Sequence, residues 1–75
     1  MKKNDDIWVP EFQLRLRDLR IKSGKSCVAT SELCGFGKNT VSKYESGKAK
    51  PTVDSLIRLA NHFGVTVDYL LGENK

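Results

Sequence analysis

Phe12, Leu16 and Leu19 recur at steps of four and three, which puts them on one face of a helix. Pro10 suits a first helical position and Gly24 a left-handed cap, so a first helix is predicted from Pro10 to Ser23. Ser26 has the chemistry of an N-cap for a second helix that ends at Gly35, with Thr30, Cys34 and Leu33 turned inward. That inward face is weakly apolar. After Gly35-Phe36-Gly37 a third helix is predicted from Lys38 to Ser46, with Val41 and Tyr44 on its inner side and Gly47 closing it. Its outer side carries Lys38, Asn39, Ser42 and Lys43. Past the loop Lys48-Ala49-Lys50-Pro51, Thr52 is an N-cap ahead of Leu56, Leu59, Ala60 and Phe63, which are helically spaced before Gly64. Thr66 repeats the device for a brief last helix from Val67 to Leu71, stopped by Gly72. No stretch alternates strictly enough to compete as a strand. The expected class is all-α, with five short helices around one core.

The length supports a single domain, since a chain this short buries only about 60% of its unfolded surface. It leaves no room for a separate catalytic domain. The domain is expected over residues 10–72, with residues 1–9 as a loose arm. Trp8 in that arm has two readings, a ring capping the core beside the first helix or a contact with a partner. No run approaches the ~18 apolar residues that span a bilayer, and no apolar signal core follows Met1-Lys2-Lys3-Asn4-Asp5-Asp6. A soluble, cytoplasmic protein without a membrane partner is therefore expected.

Cys27 and Cys34, seven apart, would lie about 10 Å apart along a helix, beyond the roughly 7 Å limit of a disulfide. Free thiols are expected. Two cysteines and a single histidine, with no paired CxxC, fall short of the four ligands of a structural zinc. The pattern points to no metal, cofactor or small-molecule ligand.

The net charge is +4, but its distribution is more informative. From Arg15 to Lys50 nine basic residues face three acidic ones, giving +6 and leaving −2 for the rest of the chain. A basic segment beside a neutral-to-acidic one fits polyanion binding through one face. A lysine-rich solvated surface is the alternative.

The most informative stretch is Ser26 to Gly47, where two short helices flank a tight turn through Gly35-Phe36-Gly37. That arrangement is a helix-turn-helix. Glycine at position 35 permits a sharp turn, while Phe36 and Val41 can fill the angle between the helices. The start of the third helix then faces solvent, where long polar side chains reach base edges in a major groove.

Here the sequence resembles a known family over residues 12–72. The carrying residues are Arg15-Leu16-Arg17-Asp18-Leu19-Arg20, Gly24, Gly35-Phe36, and Thr40-Val41-Ser42-Lys43-Tyr44-Glu45-Ser46-Gly47-Lys48. Pro51-Thr52, Leu56, Leu59-Ala60, Phe63-Gly64-Val65 and Asp68-Tyr69-Leu70-Leu71 complete the match. Together they resemble the Cro-type, XRE-type or lambda-repressor-like helix-turn-helix family of DNA-binding proteins. The resemblance implies a five-helix domain that binds double-stranded DNA as a transcriptional regulator of repressor type. It puts Lys38, Asn39, Ser42 and Lys43 where such proteins read bases, and Ser26, Thr40, Ser46, Lys48 and Lys50 where they hold phosphates. It puts Arg20 and Glu45 where the family forms a partly buried ion pair. The donor chemistry agrees: Lys serves guanine O6 and N7, Asn pairs bidentately with adenine, and Ser serves base or phosphate.

The second helix departs from the family pattern. Family members carry Gln at the position of Cys27, bracing the recognition helix on a phosphate, and Glu at that of Ala29, closing a capping box with Ser26. Cys27 and Ala29 can do neither, so that helix is expected to be less stable and its phosphate clamp to rest on Ser26 and main-chain N–H groups. A homodimer on DNA is expected through Val65 to Leu71, where Val67, Tyr69, Leu70 and Leu71 offer surplus apolar surface. Such dimers read half-sites about 34 Å apart.

The competing reading is a protein-interaction module, such as an antitoxin or adaptor domain with weak DNA binding, supported by the weak second helix and the −1 balance after Pro51. An enzyme fits worst. Gly24-Lys25-Ser26 resembles the end of a phosphate-binding loop, but the first glycine it needs is replaced by Leu19 inside a helix. His62 has no cysteine or carboxylate at triad-like spacing.

Overall fold

The computed structural model describes residues 10–72, and over them the chain forms five helices and no strand. They are α1 (Pro10–Ser23), α2 (Cys27–Leu33), α3 (Thr40–Ser46), α4 (Val53–Phe63) and α5 (Val67–Leu70). The expectations for residues 1–9, Trp8 included, lie outside the described residues.

Three of the helices start on the same local chemistry. The side-chain oxygens of Ser26, Thr52 and Thr66 accept the N–H of Ala29, Ser55 and Tyr69, so each cap satisfies a donor that the helix leaves unpaired. Gly47 ends α3 in the left-handed conformation, φ +81°, and its N–H donates to the carbonyls of Tyr44 and Lys43. That positive φ selects glycine there, since the flexible end of Gln13 of α1, which lies against the space a side chain at position 47 would occupy, could shift aside.

The core gathers one face from every helix: Phe12 and Leu16 of α1, Cys34 just after α2, Val41 and Tyr44 of α3, Leu56, Leu59 and Ala60 of α4, and Leu70 of α5. Tyr44 is its hinge. Phe12 and Phe36 meet the Tyr44 ring edge-on, with centroids 5.9 and 6.0 Å away, and its hydroxyl donates to Ser55 Oγ at 3.0 Å. A buried tyrosine with its hydroxyl satisfied contributes apolar area without an orphaned polar atom. Through it the inner face of α3 is fixed against α1 and α4.

Four expectations are corrected. The third helix begins at Thr40 rather than Lys38, because the Thr40 N–H closes a turn onto the Gly37 carbonyl at 3.0 Å and Asn39, at φ −100° and ψ 4°, stands outside the helix as its N-cap. The second helix stops at Leu33, short of Gly35. Leu33 is 57% exposed, whereas Thr30, Ser31 and Cys34 are buried. Their spacing puts Ser31 on the inner stripe that Leu33 was expected to share. Finally, Leu70 is fully buried in the domain's own core, so it offers no surface to a second copy.

Candidate nucleic-acid interface

With Val41 and Tyr44 buried, the opposite side of α3 must face solvent, and Ser42, Lys43 and Ser46 are exposed there. Lys38 and Asn39 extend the exposed row before the helix, and Lys48 extends it after Gly47. Asn39, Ser42, Lys43, Ser46 and Lys48 line one open depression of about 350 Å³. Three of the four residues expected to read bases therefore share one surface with two of those expected to hold phosphate.

The remaining residues lie differently. Lys38 is exposed but does not line the depression, and Thr40 is half-buried in the first turn of α3. Lys50 lines a separate small cleft beside Phe12, Gln13, Tyr44 and Pro51. Ser26 caps α2, its oxygen accepting the Ala29 N–H at 3.0 Å. Its hydroxyl proton remains able to donate to an anion.

The two serines of α3 are polarised by the helix itself. Ser42 Oγ donates to the Asn39 carbonyl at 3.0 Å, and Ser46 Oγ donates to the Lys43 carbonyl at 3.2 Å. In that state each presents lone pairs outward. Ser42 can accept from an adenine or cytosine amino group as it stands, but Ser46 must turn away from Lys43 to serve a phosphate, which only accepts.

The angle of this surface to the domain is fixed from behind. Arg20 of α1 grips Glu45 of α3 with two bonds, Nε to Oε2 at 2.6 Å and Nη2 to Oε1 at 3.1 Å, and a third bond ties Nη1 to the Lys25 carbonyl at 3.1 Å. The bond to Glu45 holds the Arg20 guanidinium more firmly protonated than usual. The Cys27 thiol is also part of this environment. Burial first, and then the Glu45 carboxylate, push it above the ordinary thiol range. Cys34 is pushed up by burial too, and both cysteines are free.

Sequence reasoning missed Ser31. Its Oγ accepts the Val41 N–H at 2.9 Å in a buried bond between α2 and α3. The signal was a small polar residue beside Thr30, four residues before Gly35, on a stripe that the helical period turns inward.

A helix-turn-helix family model matches residues 16–70, more than half of the chain. The chain belongs to this helix-turn-helix family. It is 43% identical over 61 residues to the HTH-type transcriptional regulator AnsR of Bacillus subtilis (strain 168), covering 81% of this chain and 53% of that protein. It is 36% identical over 61 residues to ImmR of the same organism, covering 81% and 48%. To the cryptic phage CTXphi transcriptional repressor RstR of Vibrio cholerae it is 30% identical over 64 residues, covering 85% and 58%. The chain spans about half the length of the curated relatives it matches. No solved structure matches it. Among the described residues no helix is long and apolar enough to cross a membrane.

Proposed function

We propose that this domain binds double-stranded DNA sequence-specifically as part of a cytoplasmic transcriptional regulator, of repressor type as the RstR relative is named. The observation that carries the reading is the exposed row Asn39, Ser42, Lys43, Ser46 and Lys48, on the solvent side of a helix whose other side is locked into the core. Lys38, Asn39, Ser42 and Lys43 read base edges; Ser26, Thr40, Ser46, Lys48 and Lys50 hold phosphates. Bound to an operator, the protein would act by occupying the duplex. Selection from a randomised duplex pool, followed by titration at two salt concentrations, tests this. A defined half-site is expected, with affinity falling steeply as salt rises; binding without base preference or salt dependence would overturn it.

The active form on DNA is a two-fold dimer through Val65 to Leu71. With Leu70 buried and the Arg15 guanidinium 4.4 Å above the Tyr69 ring, the contact rests on the half-buried Val65, Val67 and Leu71. Sedimentation on a duplex with two half-sites should give two protomers per duplex. A single protomer there would remove the dimer.

A protein-interaction module is supported by Val53 and Ile57, one turn apart on α4 and 72% and 46% exposed. It becomes the better reading if no duplex is selected from the pool.

A further inference from the structure

Asn39 stands at the N-cap of α3, yet its side chain makes no capping bond. Asparagine is among the strongest N-cap residues, and its side-chain oxygen ordinarily takes the N–H of the second or third helical residue. Ser26, Thr52 and Thr66 do this for their own helices. In α3 the second helical residue is Val41, and its N–H donates instead to Ser31 Oγ, ten positions back in α2. Both Ser31 and Val41 are fully buried, so water cannot replace this acceptor. Ser31 thus takes, from a neighbouring helix, one of the two N–H groups open to an N-cap side chain, while Asn39 stands at φ −100° and ψ 4°, outside the extended backbone from which Ser26, Thr52 and Thr66 cap.

We infer that Ser31 is a positioning residue for base recognition: by capping α3 from α2 it leaves the exposed Asn39 carboxamide free for a base edge. Asn39 lines the depression beside Ser42 and Lys43. A free carboxamide offers adenine a matched pair, its oxygen accepting from N6 and its amide nitrogen donating to N7. An Asn39 that moved to extended backbone and capped its own helix would turn that oxygen back to the Val41 or Ser42 N–H and keep only the donor. The inference rests on the groove-reading role proposed for Asn39, whereas the cap itself requires no DNA.

A double-mutant cycle of Ser31→Ala and Asn39→Ala, read once as Tm without DNA and once as base discrimination, separates the two. Without DNA, Asn39→Ala alone should leave Tm unchanged, Ser31→Ala should lower it, and Asn39→Ala should lower it further only in the Ser31→Ala background. Discrimination is read on a duplex selected by the wild-type protein from a randomised pool and on its single-base-pair variants. There Ser31→Ala should lose about tenfold at the base pair that Asn39 reads. It should lose nothing more once Asn39 is Ala, and discrimination at the other base pairs should persist. An Asn39→Ala variant that melts as early as Ser26→Ala overturns the cap, and does so even if Ser31→Ala fails to fold. Ser31→Ala weakening every duplex alike overturns the positioning role. A coupled Tm cycle in a protein that selects no duplex removes the DNA reading and leaves only the cap between helices.

Discussion

Arg20 and Glu45 lie 25 positions apart in the chain and are joined by a two-pronged bond that ties α1 to the helix carrying the exposed polar row. Their side chains are 17% and 10% exposed, which places the pair well inside the range where losing one partner strands a charge. Exposed pairs contribute about 0–1 kcal/mol, whereas removing one partner of a buried pair costs about 3–5 kcal/mol. Glu45→Ala should fall between these, with Tm lowered by roughly 10 °C in a domain of this size. Arg20→Lys should recover only part, because an ammonium cannot make both bonds to the carboxylate and reach the Lys25 carbonyl. An unchanged Tm in Glu45→Ala, by differential scanning calorimetry, would show that the pair does not hold the helices.

Thr30 is fully buried, and its hydroxyl has no hydrogen-bond partner among the described residues. An orphaned buried hydroxyl costs about 1–3 kcal/mol. Thr30→Val keeps the shape and removes the orphan, so Tm should rise by several degrees. A fall in Tm would mean that the hydroxyl has a solvent partner.

Most of the fold was legible because its signals are local: Ser26, Thr52 and Thr66 each sit three residues before the N–H they accept. The bounds of α1 follow from Pro10, Gly24 and the Phe12-Leu16-Leu19 stripe. What was not legible depends on pairings across the chain. Nothing within α3 shows that Val41 takes its acceptor from Ser31, or that Gly37 delays the helix start to Thr40. Likewise Leu70 reads as surplus from α5 alone; it is buried because a four-residue helix docks on α1 and α4. At the interface, the outward row Asn39, Ser42 and Lys43 followed from the positions of Val41 and Tyr44. The spread of Lys48 and Lys50 over two different clefts did not, because it is set by the path of a loop.

The thiols give the fold an alkaline limit. Burial raises both Cys27 and Cys34, so the folded protein keeps their protons above the ~8.5 at which an unfolded cysteine ionises. The stability from keeping them neutral is complete below that value and is lost as pH rises through the raised folded values. Tm should therefore decline above about pH 8.5, and the decline should be shallower in Cys27→Ala/Cys34→Ala, whatever that variant's Tm at neutral pH. Iodoacetamide at pH 8 should label the native protein far more slowly than the unfolded chain. Equal alkaline slopes in the two proteins would assign the decline to other groups.

The proposed row along α3 separates residues expected to read bases from residues expected to hold phosphates. Lys38 and Asn39 stand at the exposed entry to the helix, where a side chain entering a major groove meets base edges. Replacing either by Ala should cost roughly 1–3 kcal/mol on a selected site and relax preference at one or two base pairs. Affinity for random DNA should change less. Lys48 follows Gly47, past the end of the helix yet bordering the same depression as Lys43, so it is expected to meet phosphate at a groove's edge rather than bases. Lys48→Ala should weaken selected and random duplexes alike and flatten the slope of log affinity against log salt by about 0.9. Lys50 borders the cleft near Phe12 instead, on the way to α4, and its loss should act on salt dependence without touching base preference. The assignment is reversed if Lys48→Ala alters base preference while Lys38→Ala and Asn39→Ala weaken every duplex equally. Binding untouched by all four substitutions would make the protein-interaction module the better reading.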